Sequence, residues 1–474
     1  MTLKVFTMTN SQRIDRPITE ASPIQSILHI NEKGGKFGGT EEYIDSLTHL
    51  LSDQGIRSHL IYEHLHGSLP DDLESSQKIP GLGNRDGDPE LGNQVLQATI
   101  EINPDIVYLH NIFDGRIVEA LDHPDRKYRL LWYIHDHFPT CLTELRALSQ
   151  ATTPLSKEGT GEMICDRPLS KNCLSNIDAG CCVKRHGDRL FSEADLSSRL
   201  ELLKSLRLMD GIIVVSEFMK QILVKNLPDI ENKIYVLPRQ VRSPLTPLKK
   251  GGTGTPLTPL AKGETGTPLT PLAKGGTGSS DRTSQTALTP SKIVAFSGRI
   301  TREKGLHVAI KALSELAIPE KIIFKIAGVI ENPDYWSTCV ELANTVESQN
   351  PSIQVQYLGH LSYENVDALY AEADIVVVPS IWGEPLGAVA AEAMRNGAVA
   401  IASNVGGLDT WVIHGQTGLL VNPNDPTALS EAIGQLLSDE TLRSRLANAG
   451  QELINTRFTA REHLKALFEV IGKC

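Results

Sequence analysis

Two glutamates eight residues apart, Glu384 and Glu392, stand inside Pro379 to Gly407, which reads PSIWGEPLGAVAAEAMRNGAVAIASNVGG. Ionised carboxylates accept hydrogen bonds and so can hold hydroxyl-rich ligands. Pro385 suits the first position of a helix, where its missing N–H costs nothing, and this makes Glu384 the capping residue. Leu386, Val389, Ala390, Ala393 and Met394 then recur at helical spacing as a buried stripe. At about 100° per residue, Glu384, Ala388, Ala391, Glu392 and Arg395 fall on the opposite side. Two carboxylates separated by small alanines therefore border one open space at a helix N-terminus. The N–H groups of Leu386, Gly387 and Ala388 point into the same space and suit a phosphate. Carboxylates for hydroxyls beside amides for phosphate fit a nucleotide sugar. The plainer alternative pairs Glu392 with Arg395 one turn on, worth about 0.2–0.5 kcal/mol.

Other residues carry compatible chemistry. In SGRITREKGLHVAIKAL, Arg299 and Lys304 flank a turn, and Gly305 starts a helix that buries Leu306, Ala309, Ile310 and Leu313. The arginine grips an anion bidentately and the lysine acts as a point charge; otherwise both are solvated surface cations. In NEKGGKFGGTEEYIDSLTHLLSDQG a glycine-rich turn joins a strand to a helix, and Gly38 and Gly39 let a ligand approach the backbone. The turn is not GxGxxG. Strands DIVYLH and LLWYIH end in His110 and His135, and a histidine so placed is either structural or faces a ligand. Asp86-Gly87-Asp88 has the form of a metal-binding Asp-x-Asp, but it sits among turn residues with no strand before it and reads as a loop.

WGEPLGAVAAEAMRNGAVAIAS with Gly-Gly close behind resembles the Glu-x7-Glu segment of the retaining glycosyltransferases of family 4, in register at Glu-Pro-x-Gly, Glu-Ala-Met and the trailing glycines. Gly-Arg followed by Lys-Gly matches that family's diphosphate-binding motif. The resemblance covers nearly the whole chain and implies GT-B architecture: two facing Rossmann-like domains with a central cleft, the donor held mainly by the second. It implies that Glu392 binds ribose hydroxyls and that Glu384 binds a donor-sugar hydroxyl near C3 or C4. It places His135 against the donor sugar, and Gly38 and Gly39 near the donor phosphates and the acceptor. Arg299, Lys304 and the segment Pro385, Leu386, Gly387 and Ala388 would hold the donor without metal or cofactor. The implied donor is a nucleotide-diphosphate sugar, and the acceptor a glycan, a lipid or a small molecule. A nucleotide-sugar epimerase or a non-catalytic sugar-binding relative of the same fold are the alternatives.

The elements that must position these residues alternate strand and helix. Strands are expected at 24–30, 57–62, 105–110, 130–135, 210–216 and 233–238, then at 292–296, 322–328, 353–359, 374–378 and within 414–423. This is the βα rhythm of parallel sheets. Residues 67–93 read as a loop, and closing helices run from Pro426 to about Ile471. The chain divides into a leader (1–22), an acceptor domain (23–241), a flexible linker (242–290), a donor domain (291–456) and a last helix (457–474) crossing back to the first domain. Within the linker, residues 243–278 are three copies of a twelve-residue unit close to TPLTPLAKGGTG, too rich in Pro, Gly and Thr to bury a core.

At 474 residues the chain exceeds one core, and 40% hydrophobic with 22% charged residues is ordinary globular composition. A net charge of -11 argues against nucleic acid as a partner. No apolar run spans a bilayer and the leader is too polar for a signal peptide, so a cytoplasmic protein, with peripheral membrane association left open, is expected. Cys141, Cys165, Cys173, Cys181 and Cys182 crowd one loop. They read as a structural zinc site or as free or redox-active thiols, with no CxxC pair to decide.

Overall fold

The computed structural model describes residues 24–35, 38–83, 89–141, 143, 165, 167–178, 191–241 and 291–474. The leader, Asp86, Asp88, Cys181, Cys182 and the repeat-bearing stretch 242–290 lie outside the described residues.

Short apolar runs without helical period fold into strands buried on both faces, as parallel sheets covered by helices require. In the first half these are β1 (Ser26–Ile30), β2 (Lys33–Gly35), β3 (Arg57–Tyr62), β4 (His64–His66), β5 (Leu73–Lys78), β6 (Ile106–Leu109), β7 (Arg129–Ile134), β8 (Gly211–Val214) and β9 (Ile234–Val236). Seven of them form one parallel sheet in the order β5-β3-β1-β6-β7-β8-β9, while β2 and β4 pair separately. The helices are α1 (Gly39–Ser52), α2 (Pro89–Ile102), α3 (Gly115–Leu121), α4 (Asn172–Asp178), α5 (Glu193–Ser205) and α6 (Glu217–Asn226).

The second half repeats the plan. Strands β10 (Lys292–Ser297), β11 (Ile322–Ala327), β12 (Ile353–Tyr357), β13 (Ile375–Val378), β14 (Val399–Ser403) and β15 (Gly418–Val421) pair in parallel in the order β12-β11-β10-β13-β14-β15. The helices are α7 (Leu306–Ser314), α8 (Pro333–Gln349), α9 (Tyr363–Glu372), α10 (Ala388–Arg395), α11 (Pro426–Ser438), α12 (Glu440–Arg457) and α13 (Ala460–Ile471). The molecule is thus a GT-B-type α/β structure of two Rossmann-like units.

One expectation fails within 67–93. There β5, LESSQK, is a sheet strand, and α2 begins at Pro89. Among the described residues β5 is an edge strand that pairs only with β3, and it is mostly exposed, so it has none of the apolar alternation that marks a half-buried strand.

In each sheet the first strand lies inside, β1 between β3 and β6, and β10 between β11 and β13. The strand order reverses there. Ligands of open α/β sheets bind beyond the strands' carboxyl ends at that switch point.

The chain crosses between the units twice, side by side. Val241 N, just beyond β9, donates to Phe458 O at the α12–α13 junction at 2.9 Å. α13 then packs on α1: Tyr43 Oη and His463 Nε2 are 2.9 Å apart, and Arg129 donates to the Ile471 carbonyl.

Candidate active site

Both switch points face one cleft, and the second unit supplies its ionic side. β13 (IVVV) is buried throughout and ends at Val378. The chain then loops from Pro379 to Gly387 before α10. Glu384 lies on this loop with only 4% of its surface exposed. Lys304, from the turn before α7, places Nζ 2.5 Å from Glu384 Oε1, and Ser380 Oγ donates to the same oxygen at 2.7 Å. Burial pushes the Glu384 carboxyl up, but the Lys304 charge and the hydrogen bonds from Lys304 and Ser380 outweigh it. The group is therefore held below the usual carboxylate range and is ionised. Lys304 Nζ also sits 5.1 Å over the Trp382 ring.

The helix starts later than its sequence signals imply. Gly387 is the cap at φ 68°, and α10 begins at Ala388, so Pro385 is not the first helical residue and Glu384 is not the cap. The reason lies in the trailing glycines. Gly407 N donates to Glu384 O at 2.8 Å, and a Cβ at Gly406 would run into the Glu384 backbone. This docking holds residues 384–385 off the helix. The amides without an intrahelical partner consequently start at Ala388 rather than Leu386.

Glu392 and Arg395 do not pair as the plainer alternative supposed. Arg395 is buried and bonds Asp367 of α9 at 2.6 Å. Nor does Ala391 share an open face with Glu392, for it is buried. Lys304 does not stand ready for an anion alone, since it already holds Glu384. Arg299 bonds Glu331 at 2.7 Å and lies 3.7 Å from Glu303. Gly305, at φ 73°, caps α7, whose residues Leu306, Ala309, Ile310 and Leu313 are buried.

The first unit supplies imidazoles. His29 Nδ1 lies 3.1 Å from His110 Nε2, and His110 Nδ1 lies 3.2 Å from His135 Nε2. One histidine from each of three adjacent strand ends makes a row. Each link needs one donor and one acceptor nitrogen, and three neutral rings supply these in either direction. Burial, with neighbouring charge second, lowers His29 and His135 to about 3 and His110 well below its ordinary value, so the row is neutral at pH 7.

Sequence reasoning missed three residues that cross the cleft. His137, two residues after His135 and fully buried, donates Nε2–H to Gly383 O at 2.6 Å. Ser216, which caps α6, donates to Pro385 O at 2.5 Å. Arg239 donates Nη1–H to Gly39 O at 3.1 Å, and its Nη2 lies 3.6 Å from Glu392 Oε1. The signals available were the His-Asp-His triplet after β7 and the arginine directly after Pro238. Gly38 and Gly39 open α1. They share the Arg239 side of the cleft with Glu392.

A cavity of about 300 Å³ runs between α1, the Arg239–Val241 segment, α9 and α10, with Ala388, Glu392 and Arg395 in its wall. Among the described residues, no three His, Cys, Asp or Glu are grouped as metal ligands. Cys141, Cys165 and Cys173 form no disulfide. No described helix is long and apolar enough to cross a membrane.

Comparison with known proteins bears on both halves. The family model Glycosyltransferase Family 4 matches residues 37–242, and Glycosyl transferases group 1 matches residues 280–453. An uncharacterised glycosyltransferase of Methanocaldococcus jannaschii is 30% identical over 169 residues, covering 35% of this chain and 41% of that protein. A D-inositol 3-phosphate glycosyltransferase of Xylanimonas cellulosilytica is 34% identical over 204 residues, 41% of this chain and 47% of that one. The chain thus spans less than half the length of the curated relatives it matches. Among solved structures, a Rickettsia africae glycosyltransferase superposes with TM-score 0.62 at 18% identity, covering 95% of this chain and 98% of that one. An Anabaena protein, HepE, solved with UDP and glucose, gives 0.59 at 17% identity over 95% and 100%. With its first half matched by one of these models and its second half by the other, the chain belongs to the GT-B superfamily of glycosyltransferases.

Proposed function

We propose that the protein transfers a sugar, with retention at the anomeric carbon, from a nucleotide-diphosphate sugar to an acceptor hydroxyl. The observation that carries this reading is Glu384, ionised and buried at the switch point of the second sheet. Glu392, two turns along the same segment, opens on the cavity between the units. The UDP and glucose bound by the Anabaena protein support the donor class.

Breaking a sugar–phosphate bond builds positive charge on the anomeric carbon and negative charge on the leaving diphosphate. Arg299, Lys304 and the first amides of α10 take up the negative charge, fixed in place before reaction. Lys304 has three N–H donors, so it serves a phosphate oxygen while still holding Glu384. Glu384 accepts from a sugar hydroxyl near C3 or C4, and Glu392 accepts from the ribose. His135 orients the sugar from the opposite side, with Gly38 and Gly39 bordering the donor phosphates and the acceptor. The acceptor, a glycan, a lipid or a small molecule, attacks on the face the diphosphate leaves, and a diphosphate oxygen takes its proton. Because protein cations neutralise the leaving group, turnover is expected to survive EDTA. Loss of activity, restored by a divalent ion, would contradict that.

The test separates the two carboxylates. Glu392→Gln is expected mainly to raise the donor KM, by ~1.5–3 kcal/mol in apparent binding for a charged hydrogen bond. Glu384→Gln is expected mainly to lower kcat while free nucleotide diphosphate binds as in wild type. Donor choice is read by screening UDP-, GDP- and ADP-sugars for thermal protection. Unchanged kinetics in both variants would defeat the reading, and release of an altered donor sugar without acceptor would assign an epimerase instead.

A further inference from the structure

Arg239 belongs to the segment that leaves β9, outside every motif noted in the sequence. Its guanidinium bridges the Gly39 carbonyl of the first unit and the Glu392 carboxylate of the second. A Cβ on Gly39 would come within 2.8 Å of Arg239 Nη1, so the guanidinium lies directly against this glycine. The side chain is largely shielded, at 21% exposure, and lines the same cavity as Glu392 and Ala388. Its charge also adds to burial in keeping His135 neutral. Gly39, Glu392 and His135, reached by separate arguments, thus gather about one cation.

The ion pairs nearby differ in tightness. Lys304–Glu384, Arg299–Glu331 and Arg395–Asp367 close to 2.5, 2.7 and 2.6 Å, whereas Arg239–Glu392 stands at 3.6 Å. Charge-assisted N–H···O bonds lie near 2.7–2.9 Å, so this last pair is loose and open to exchange. A ribose hydroxyl binding Glu392 must share or displace Arg239. The ribose is neutral and offers the displaced cation no counter-charge, but the attached diphosphate offers it anionic oxygens that fit a guanidinium fork.

We propose that Arg239 is an additional donor-binding residue: it pairs with Glu392 and passes to the donor's diphosphate when the ribose takes Glu392. This rests on the glycosyl-transfer reading above. The exchange makes binding of the nucleoside and of its phosphates cooperative. A bare nucleoside loses the Arg239–Glu392 attraction without recompense, and a nucleotide diphosphate replaces both halves of it.

The experiment titrates UDP, GDP and ADP, and the matching nucleosides, into wild type, Arg239→Ala, Arg239→Lys and Arg299→Ala by calorimetry. Arg239→Ala is expected to weaken the preferred diphosphate about 10- to 100-fold, as loss of a charged hydrogen bond does. Its nucleoside affinity should hold or rise. Arg239→Lys should fall between, keeping the charge but not the fork. Equal losses for nucleoside and diphosphate, or an unchanged diphosphate affinity, would overturn the proposal. Should Arg299→Ala weaken diphosphate binding where Arg239→Ala does not, the donor site stands and Arg239's part in it falls. If wild type bound none of the three diphosphates, both readings would fall together. Matching melting temperatures of Arg239→Lys and wild type check that the fold is intact.

Discussion

The two sheets present their strand ends to the same cleft with opposite chemistry. On the first, three imidazoles in a row, His29 and His110 buried and His135 half-buried, are hydrogen-bonded and neutral. On the second, carboxylates and cations are set in close pairs. The fold is common to both sides, so the difference resides in side chains at equivalent strand ends. A ligand with a charged diphosphate and a neutral sugar needs both: ions where charge develops, and uncharged hydrogen-bonding groups where it does not. Each side has its own weakness. Burying ions makes a missing partner costly, and burying imidazoles makes acid costly.

The largest expected effect breaks the ionic side. Lys304→Ala leaves Glu384 as a buried charge without its cation, and should destabilise the protein by about 3–5 kcal/mol in urea unfolding. Adding Glu384→Gln should recover much of that loss. If Lys304→Ala unfolded at the wild-type urea concentration, the pair would be a surface ornament.

Acid tests the other side. Unfolded imidazoles titrate near 6.5, whereas folded His29 and His135 are held at about 3 and His463 at about 4. The unfolded chain therefore binds more protons below pH 6.5. Stability should be intact above that and fall as pH drops toward the folded values, by about 1.4 kcal/mol per pH unit for each group. In the second unit only His307 among the described histidines is comparably lowered, to about 4. Hydrogen exchange at pH 5 should then show β1, β6 and β7 losing protection before β10 and β13. Simultaneous loss would erase the contrast.

The smallest effect lies where the sides meet. Ser216→Ala removes both the α6 cap and the bond to Pro385 O, and should cost about 1–2 kcal/mol while raising the donor KM only slightly. A kcat collapse in this variant would mean that the contact governs chemistry rather than docking.

What could be read in advance followed physical period. IVVV and its like announced buried strands, and the run from Glu384 to the paired glycines marked the switch-point segment before any topology was known. The helix start was misplaced because Pro385 obeys local rules that the Gly407–Glu384 bond overrides from a distance. β5 escaped because an edge strand buries little. Arg239 escaped for a different reason: its partners are 200 residues before it in Gly39 and far ahead in Glu392, and no local spacing encodes such a meeting. His137 was hidden beside His135, since a strand end does not say which of two nearby imidazoles turns toward the other unit.

Val241, just beyond β9, is bonded to Phe458 where the chain leaves α12. That bond fastens the segment carrying Arg239 to the α12–α13 junction. A shift of the junction is therefore passed through two residues of backbone to the guanidinium that stands between Gly39 and Glu392.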